Sequence, residues 1–368
     1  MKELSFYQDI PKLSVEFLET LKVNDRFDFI PTREHSTKIG KKINLGYNCY
    51  AIKLYKISNS WDNITVNKKK AWTDFILDYQ NHDVDQFNNY FIDKEVFRYF
   101  NNPLTVYRTK DNIKKIVKKL SHKDFQLRDI HIFKTLNAEN KQTISTLKEV
   151  GVEILNVPIV TFDKSKDLES YLNLFDWSKP WDAGAQFSIY SVYSEVYDLN
   201  LKNELIKFIE TKLDFETGSY FEGRISTPRQ IINGAMKVIS GLDWLENPIH
   251  FPKKLIDFCL NNRPEFEGCD LVDYVYVLYK CSLQTDYKRD EINSLLTEVL
   301  DYLKLLYFKE EKGFSYFKNK SQTHYYGINI SKGKNLPDIH GTLLSVWAIV
   351  MILEVLEKNT NNYNILRP

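Results

Sequence analysis

The chain has 368 residues, with 50 Lys and Arg against 49 Asp and Glu, so its formal net charge is +1. That balance creates no long-range field for collecting nucleic acid or an anionic membrane surface, and both are excluded as expected partners. With 43% hydrophobic and 27% charged residues the composition is ordinary globular, but 14% aromatic residues suit a large aromatic core or an aromatic-lined cavity.

Taken from the start, MKELSFYQDIPKLSVEF interrupts any apolar run with charges and a proline, so no export signal is expected and residues 1–40 read as an irregular segment. GYNCYAIKLYKI (46–57) follows as a helix apolar on nearly every face, and VNKKKAWTDFILDYQ (66–80) as an amphipathic one. VEILNVPIVTF (152–162) is β-branched but holds a proline and lacks a hairpin partner, so it is expected to connect rather than pair. Beyond it, apolar and amphipathic helices alternate. WDAGAQFSIYSVYSEVY, INGAMKVISGL, CDLVDYVYVLYKC and DIHGTLLSVWAIVMIL are of the buried kind, while LKNELIKFIETKLD, PKKLIDFCLNN and INSLLTEVLDYLKLLYF each keep a charged face. No window approaches the ~18 uncharged apolar residues that a membrane span needs. The cysteines Cys49, Cys259, Cys269 and Cys281 lack C-x-x-C spacing, so a cytoplasmic protein with reduced thiols is expected.

An outer amphipathic helix, an aromatic loop and an inner apolar helix form a unit that cannot bury its own face, which is the logic of a repeat architecture. The loops FILDYQNHDVDQFNNYF, FIETKLDFETGSYFEG and YLKLLYFKEEKGFSYF repeat a polar turn followed by an aromatic. On these features the chain resembles the α/α-toroid superfamily of terpenoid cyclases and protein prenyltransferase β subunits. AENKQTISTLKEVGVEI with FDWSKPWDAGAQFS also resembles toroid-like proteins of bacterial surface-polysaccharide loci. The resemblance implies an all-α fold, an α/α toroid over 41–358 followed by a tail at 359–368, with a ligand funnel where the inner helices begin.

Those helix starts carry Trp181, Asp182 and Gln186, then Asn233 and Lys237, then Asp270, Asp273 and Tyr274, and last Asp338 and His340. Tyr220, Glu222, Arg224, His324, Tyr325 and Tyr326 lie between helices. Converging titratable and aromatic groups are the default description of a binding site. Asp182, Asp270 and Asp338 also stand where N-caps stand, and capping alone accounts for an aspartate there. His340, beside Gly341, has the ordinary pKa of a proton-transfer group.

Three chemistries follow from the resemblance. The cyclase acid motif survives only as Asp338 and Thr342. The prenyltransferase zinc set finds only partial counterparts in Glu267, Cys269 and His340, so neither metal nor cofactor is called for. The polar set suits a polyhydroxylated ligand better than a hydrocarbon, because unsatisfied polar groups facing apolar surface cost about 1–3 kcal/mol each. The expectation is thus a saccharide or glycoconjugate site, with acid/base chemistry from His340 supported by Asp338 or Asp270. Trp181, Asp182, Gln186, Tyr220, Arg224, Asn233, Asp273, His324, Tyr325 and Tyr326 position the ligand in that reading. An isoprenoid enzyme and a non-catalytic interaction protein are the rivals.

Overall fold

A computed structural model describes residues 2–24, 26–82, 87–101, 128–158, 167–225 and 227–368. The second half of the 152–162 segment and part of the 75–91 loop lie outside the described residues. Helices dominate, and the described strands are two pairs of two-residue segments, β1 (Tyr307–Phe308) with β2 (Gly313–Phe314) and β3 (His324–Tyr325) with β4 (Ile328–Asn329), each antiparallel.

The first forty residues are not irregular throughout: only the stretch after Thr20 lacks a helix. Lys2–Thr20 forms helix α1, which packs on α2 (Leu45–Ile57) and on the last helix, and its Tyr7, Ile10, Phe17 and Leu18 are buried. Pro11 and the interspersed charges suggested a break, yet tertiary burial of one face outweighs the local preference.

Helices α3 (Val66–Leu77), α4 (Lys94–Asn101) and α5 (Arg128–Glu149) follow, then a short α6 (Leu168–Leu172) and α7 (Pro180–Val196). The remainder is α8 (Lys202–Glu210), α9 (Pro228–Trp244), α10 (Pro252–Asn261), α11 (Gly268–Ser282), α12 (Arg289–Lys304) and α13 (Ile339–Val355). Pro180, Pro228 and Pro252 occupy first turns, where the missing N–H costs nothing.

The packing order of six helices closes on itself. α2 packs on α5, α5 on α7, α7 on α9, α9 on α11, α11 on α13, and α13 returns to α2. α8, α10 and α12 pack from outside on α7, α11 and α13 respectively, and α3 reaches α2 through Trp72, whose Nε1 donates to Asn48 at 2.7 Å. The tightest crossing, α7 on α9, depends on Gly184 and Gly234: a Cβ at Gly234 would come within 2.5 Å of Pro180, and one at Gly184 within 3.1 Å of the Gly234 carbonyl.

The loops after the outer helices repeat a structure as well as a composition. Gln80 bridges Phe91 after α3, Leu213 bridges Tyr220 after α8, and Tyr307 pairs with Phe314 after α12. Lys22 bridges Phe29 after α1 in the same way.

Why α13 is apolar all round is now plain. Val346, Ala348, Ile349, Val350, Met351 and Ile352 are fully buried among α1, α2, α11 and α12. Burying each of the larger side chains contributes about 1.5–3 kcal/mol.

Candidate functional site

Each of the six helices sends side chains from one face into a shared cavity of about 230 Å³. Tyr50, Lys53 and Ile57 come from α2, and Ala138, Lys141 and Gln142 from α5. Ala185 and Ile189 (α7), Met236 and Lys237 (α9), and Cys269, Val272 and Asp273 (α11) continue the wall. His340, Leu343, Leu344 and Trp347 of α13 complete it, with Leu366, Arg367 and Pro368 across one side. The spacings of three and four residues are those of one helix face.

The wall is mainly aliphatic, and its charges are unbalanced: Lys53, Lys141, Lys237 and Arg367 face a single carboxylate, Asp273. Among the described residues Lys53 Nζ reaches the Ser145 hydroxyl at 3.4 Å, and Lys141 Nζ that of Ser240 at 3.2 Å. Lys237 Nζ lies 3.5 Å from Asp273 Oδ1. Arg367 is held outside this group, with Nε 3.3 Å from Glu149 and its guanidinium stacked 4.0 Å over Trp244.

Burial shifts these groups in opposite senses. The Lys141 amine is pushed well down, first by desolvation and then by the nearby Lys237 and Lys53, and Lys53 is lowered by desolvation. Asp273, 1% exposed, is pushed up to about 6 by burial against the pull of Lys237. His340 is lowered to about 3 by desolvation and then by Lys237, so its ring is neutral at physiological pH. It stacks on Tyr50 with ring centres 4.5 Å apart.

Among the described residues three buried polar atoms of the wall have no hydrogen-bond partner: His340 Nδ1, Trp347 Nε1 and Asp273 Oδ2. Orphaned groups of this kind cost about 1–3 kcal/mol each, so three on one cavity mark a place where stability has been given up.

No protein-family model, curated protein or solved structure matches this chain. Its site is read from its own chemistry.

Of the residues singled out from the sequence, the cavity brings together Lys237, Cys269, Asp273 and His340. The others have different surroundings. Asp338 is a cap: Oδ1 accepts from Gly341 N at 2.8 Å, and Oδ2 accepts from Tyr316 N at 2.8 Å and Gln322 N at 3.0 Å. Desolvation raises its pKa to about 6 against those donors, which leaves it ionised at neutral pH. The room beside Gly341 is taken by the chain itself, since a Cβ there would sit 2.4 Å from Tyr316 N.

Asp270 accepts both bonds of Arg229 Nε, at 2.8 and 2.9 Å, and a third from Asn233 at 2.7 Å, while the Arg229 guanidinium lies 4.9 Å over Trp181. Asp182 pairs with Lys134 at 2.9 Å, and Gln186 is buried. Tyr220 is fully buried, with its hydroxyl 3.0 Å from His250 Nδ1, and Arg224 is exposed. His324 is exposed beside Thr323, Tyr325 donates to the buried Glu139 at 2.9 Å, and the Tyr326 carbonyl is 3.2 Å from His131 Nε2. Glu267 accepts from Lys318 N at 2.8 Å and Cys269 contacts the Tyr316 hydroxyl at 3.1 Å. Among the described residues no three His, Cys, Asp or Glu gather as metal ligands, so Glu267, Cys269 and His340 form no such set.

Sequence reasoning missed Lys53, Lys141, Trp347 and Arg367. Helix α5 escaped because RDIHIFKTLNAENKQTISTLKE has no apolar stripe, although Asn137, Glu139, Asn140, Thr143, Ser145 and Thr146 are all buried. A helix that polar, placed between two apolar ones, was the available signal.

Proposed function

We propose that the six-helix circuit is the inner ring of an α/α toroid and that its cavity binds a small anionic ligand with an apolar flank. The observation that carries this is the grouping of Lys53, Lys141 and Lys237 on a wall with one carboxylate. Lys53 and Lys141 are desolvated beside Lys237 with no carboxylate paired to either among the described residues, whereas a phosphate or carboxylate would pair with them. Surplus charge and orphaned polar atoms in one concave site favour a binding function.

Two ligand sources share this chemistry. An acidic saccharide or glycoconjugate narrows the expectation drawn from the sequence, with Gln142, His340 and Trp347 available to hydroxyl groups. A short isoprenoid diphosphate is favoured by the aliphatic part, Ile57, Ile189, Met236, Val272, Leu343 and Leu344. Asp273, pushed up to about 6 by burial, is the acid/base group of the proposal, and His340 is a neutral hydrogen-bonding partner. A peptide-docking role draws no support from a cavity of this size.

Thermal denaturation with inorganic diphosphate, glucuronate, a hexose phosphate, dimethylallyl diphosphate and neutral glucose separates the readings. Anions are expected to stabilise the protein by about 2.7 kcal/mol at a hundredfold excess over Kd. Lys53→Met and Lys237→Met are expected to weaken that response. Equal stabilisation by glucose, unaffected by either substitution, would refute the anionic reading. A response to the hexose phosphate and glucuronate but not to the prenyl compound selects the saccharide class, and the reverse selects the isoprenoid.

A further inference from the structure

We infer that Lys141 is a nucleophilic amine that forms a covalent imine with a carbonyl group of an anionic ligand in this cavity. The inference rests on the anion-binding reading above, and adds the functional group the ligand must carry.

Position is the first argument. Lys141 lies on the inward face of α5, and its Nζ has a hydroxyl neighbour, Ser240 Oγ at 3.2 Å, but among the described residues no carboxylate pairs with it. Ser240 Oγ donates to the Lys237 carbonyl at 2.8 Å and lies 2.6 Å from Ser188 Oγ, so its own proton is committed. It therefore acts on Lys141 as an acceptor. An unprotonated amine still donates one N–H to that oxygen and keeps its lone pair.

The surroundings are the second argument. Lys53 comes from α2, Lys237 from α9, Asp273 and Cys269 from α11, and His340 from α13. His340 is neutral and the Cys269 thiol is pushed up by burial to about 11, so neither adds charge near neutral pH. Desolvation in the aliphatic wall, and after it Lys237 and Lys53 against the opposing pull of Asp273, push the Lys141 amine towards its neutral, nucleophilic form. Those cations also draw in the anionic part of the ligand, so the groups that activate the amine also bind its reactant.

The step balances without an added redox partner. The neutral amine adds to the carbonyl carbon, the C–N bond forms, and a proton passes from nitrogen to the former carbonyl oxygen to give a carbinolamine. Protonated Asp273 then gives its proton to that hydroxyl, water leaves, and the nitrogen lone pair closes the C=N bond. The products are an iminium ion, one water and the Asp273 carboxylate, which balances the new positive charge. Hydrolysis reverses each transfer.

The test uses the full chain and pyridoxal 5′-phosphate, a phosphate-bearing aldehyde whose imine absorbs visible light. Substoichiometric probe, borohydride reduction and peptide mapping are expected to place the label on Lys141, with loss of that label in Lys141→Arg and retention in Lys309→Arg, a substitution of an exposed lysine outside the cavity. Excess inorganic diphosphate is expected to reduce labelling at least tenfold. Circular dichroism of Lys141→Arg shows whether its loss reflects unfolding, and a second variant, Lys141→Met, repeats the measurement if it does. Label on surface lysines with Lys141 unmodified, while diphosphate still stabilises the protein, overturns the imine and leaves the anion site standing. If diphosphate fails to stabilise the protein as well, the underlying reading falls too.

Discussion

Asp273→Asn offers a quantitative test of how the cavity treats charge. Asp273 is 1% exposed, and burial raises it to about 6 from an ordinary 3.8. An acid whose folded pKa lies above its unfolded one binds protons more tightly when folded, so its contribution to stability falls as pH rises between the two values and is level above the upper one. From about pH 5 to about pH 7.5 the wild type moves through the last unit of that window, which corresponds to about 1.4 kcal/mol, a tenfold change in the unfolding constant. The asparagine variant lacks this contribution. Asp338, Glu139 and His340 are present in both proteins, so their effects largely cancel in the difference. Urea denaturation of both proteins at the two pH values is the assay, with wild type expected to lose about 1.4 kcal/mol relative to the variant on going to the higher pH. Parallel pH profiles, or a relative gain for wild type, would show that Lys237 compensates Asp273 fully and would remove it as the acid of the imine step.

Two further outcomes are expected. His340, lowered to about 3 by burial and Lys237, must take up a proton on acid unfolding, so stability is lost as pH falls from about 6.5 towards 3, and His340→Gln should lose less over that range in the same urea assay. Asp338→Ala removes the acceptor of the Gly341, Tyr316 and Gln322 amides, and a cap worth about 1 kcal/mol plus two buried N–H groups at about 1–3 kcal/mol each predicts a loss of about 3–7 kcal/mol in thermal unfolding.

Much of the helical layout was readable because burial imposes periodicity. WDAGAQFSIYSVYSEVY became α7, and CDLVDYVYVLYKC became α11, because an inner helix touching neighbours on every side must be apolar nearly all round. The same rule hid α5, whose buried Thr143, Ser145, Thr146 and Asn140 side chains donate to backbone carbonyls, Asn140 to those of Phe91 and Leu136. Helix starts were the expected place for chemistry, and His340, one residue into α13, lines the cavity. Asp338 and Asp270 do not, because a carboxylate at a helix start is consumed by amides or by Arg229. The lysines lie in the middle of their helices, where a sequence shows only a charge. Whether that charge meets solvent or five other helices depends on contacts distant in the chain.

The closure of α13 onto α2 bears on how the molecule is made. Tyr7 of α1 donates to the Leu300 carbonyl of α12 across 293 residues of chain, and the same seam joins α1 and α2 to α13. Contacts that distant are expensive to reach, because the intervening chain must already be compact before they return any energy. During synthesis the first helix pairs emerge long before their final neighbour exists, with aromatic faces open to water. The seam cannot close until α13 has been translated.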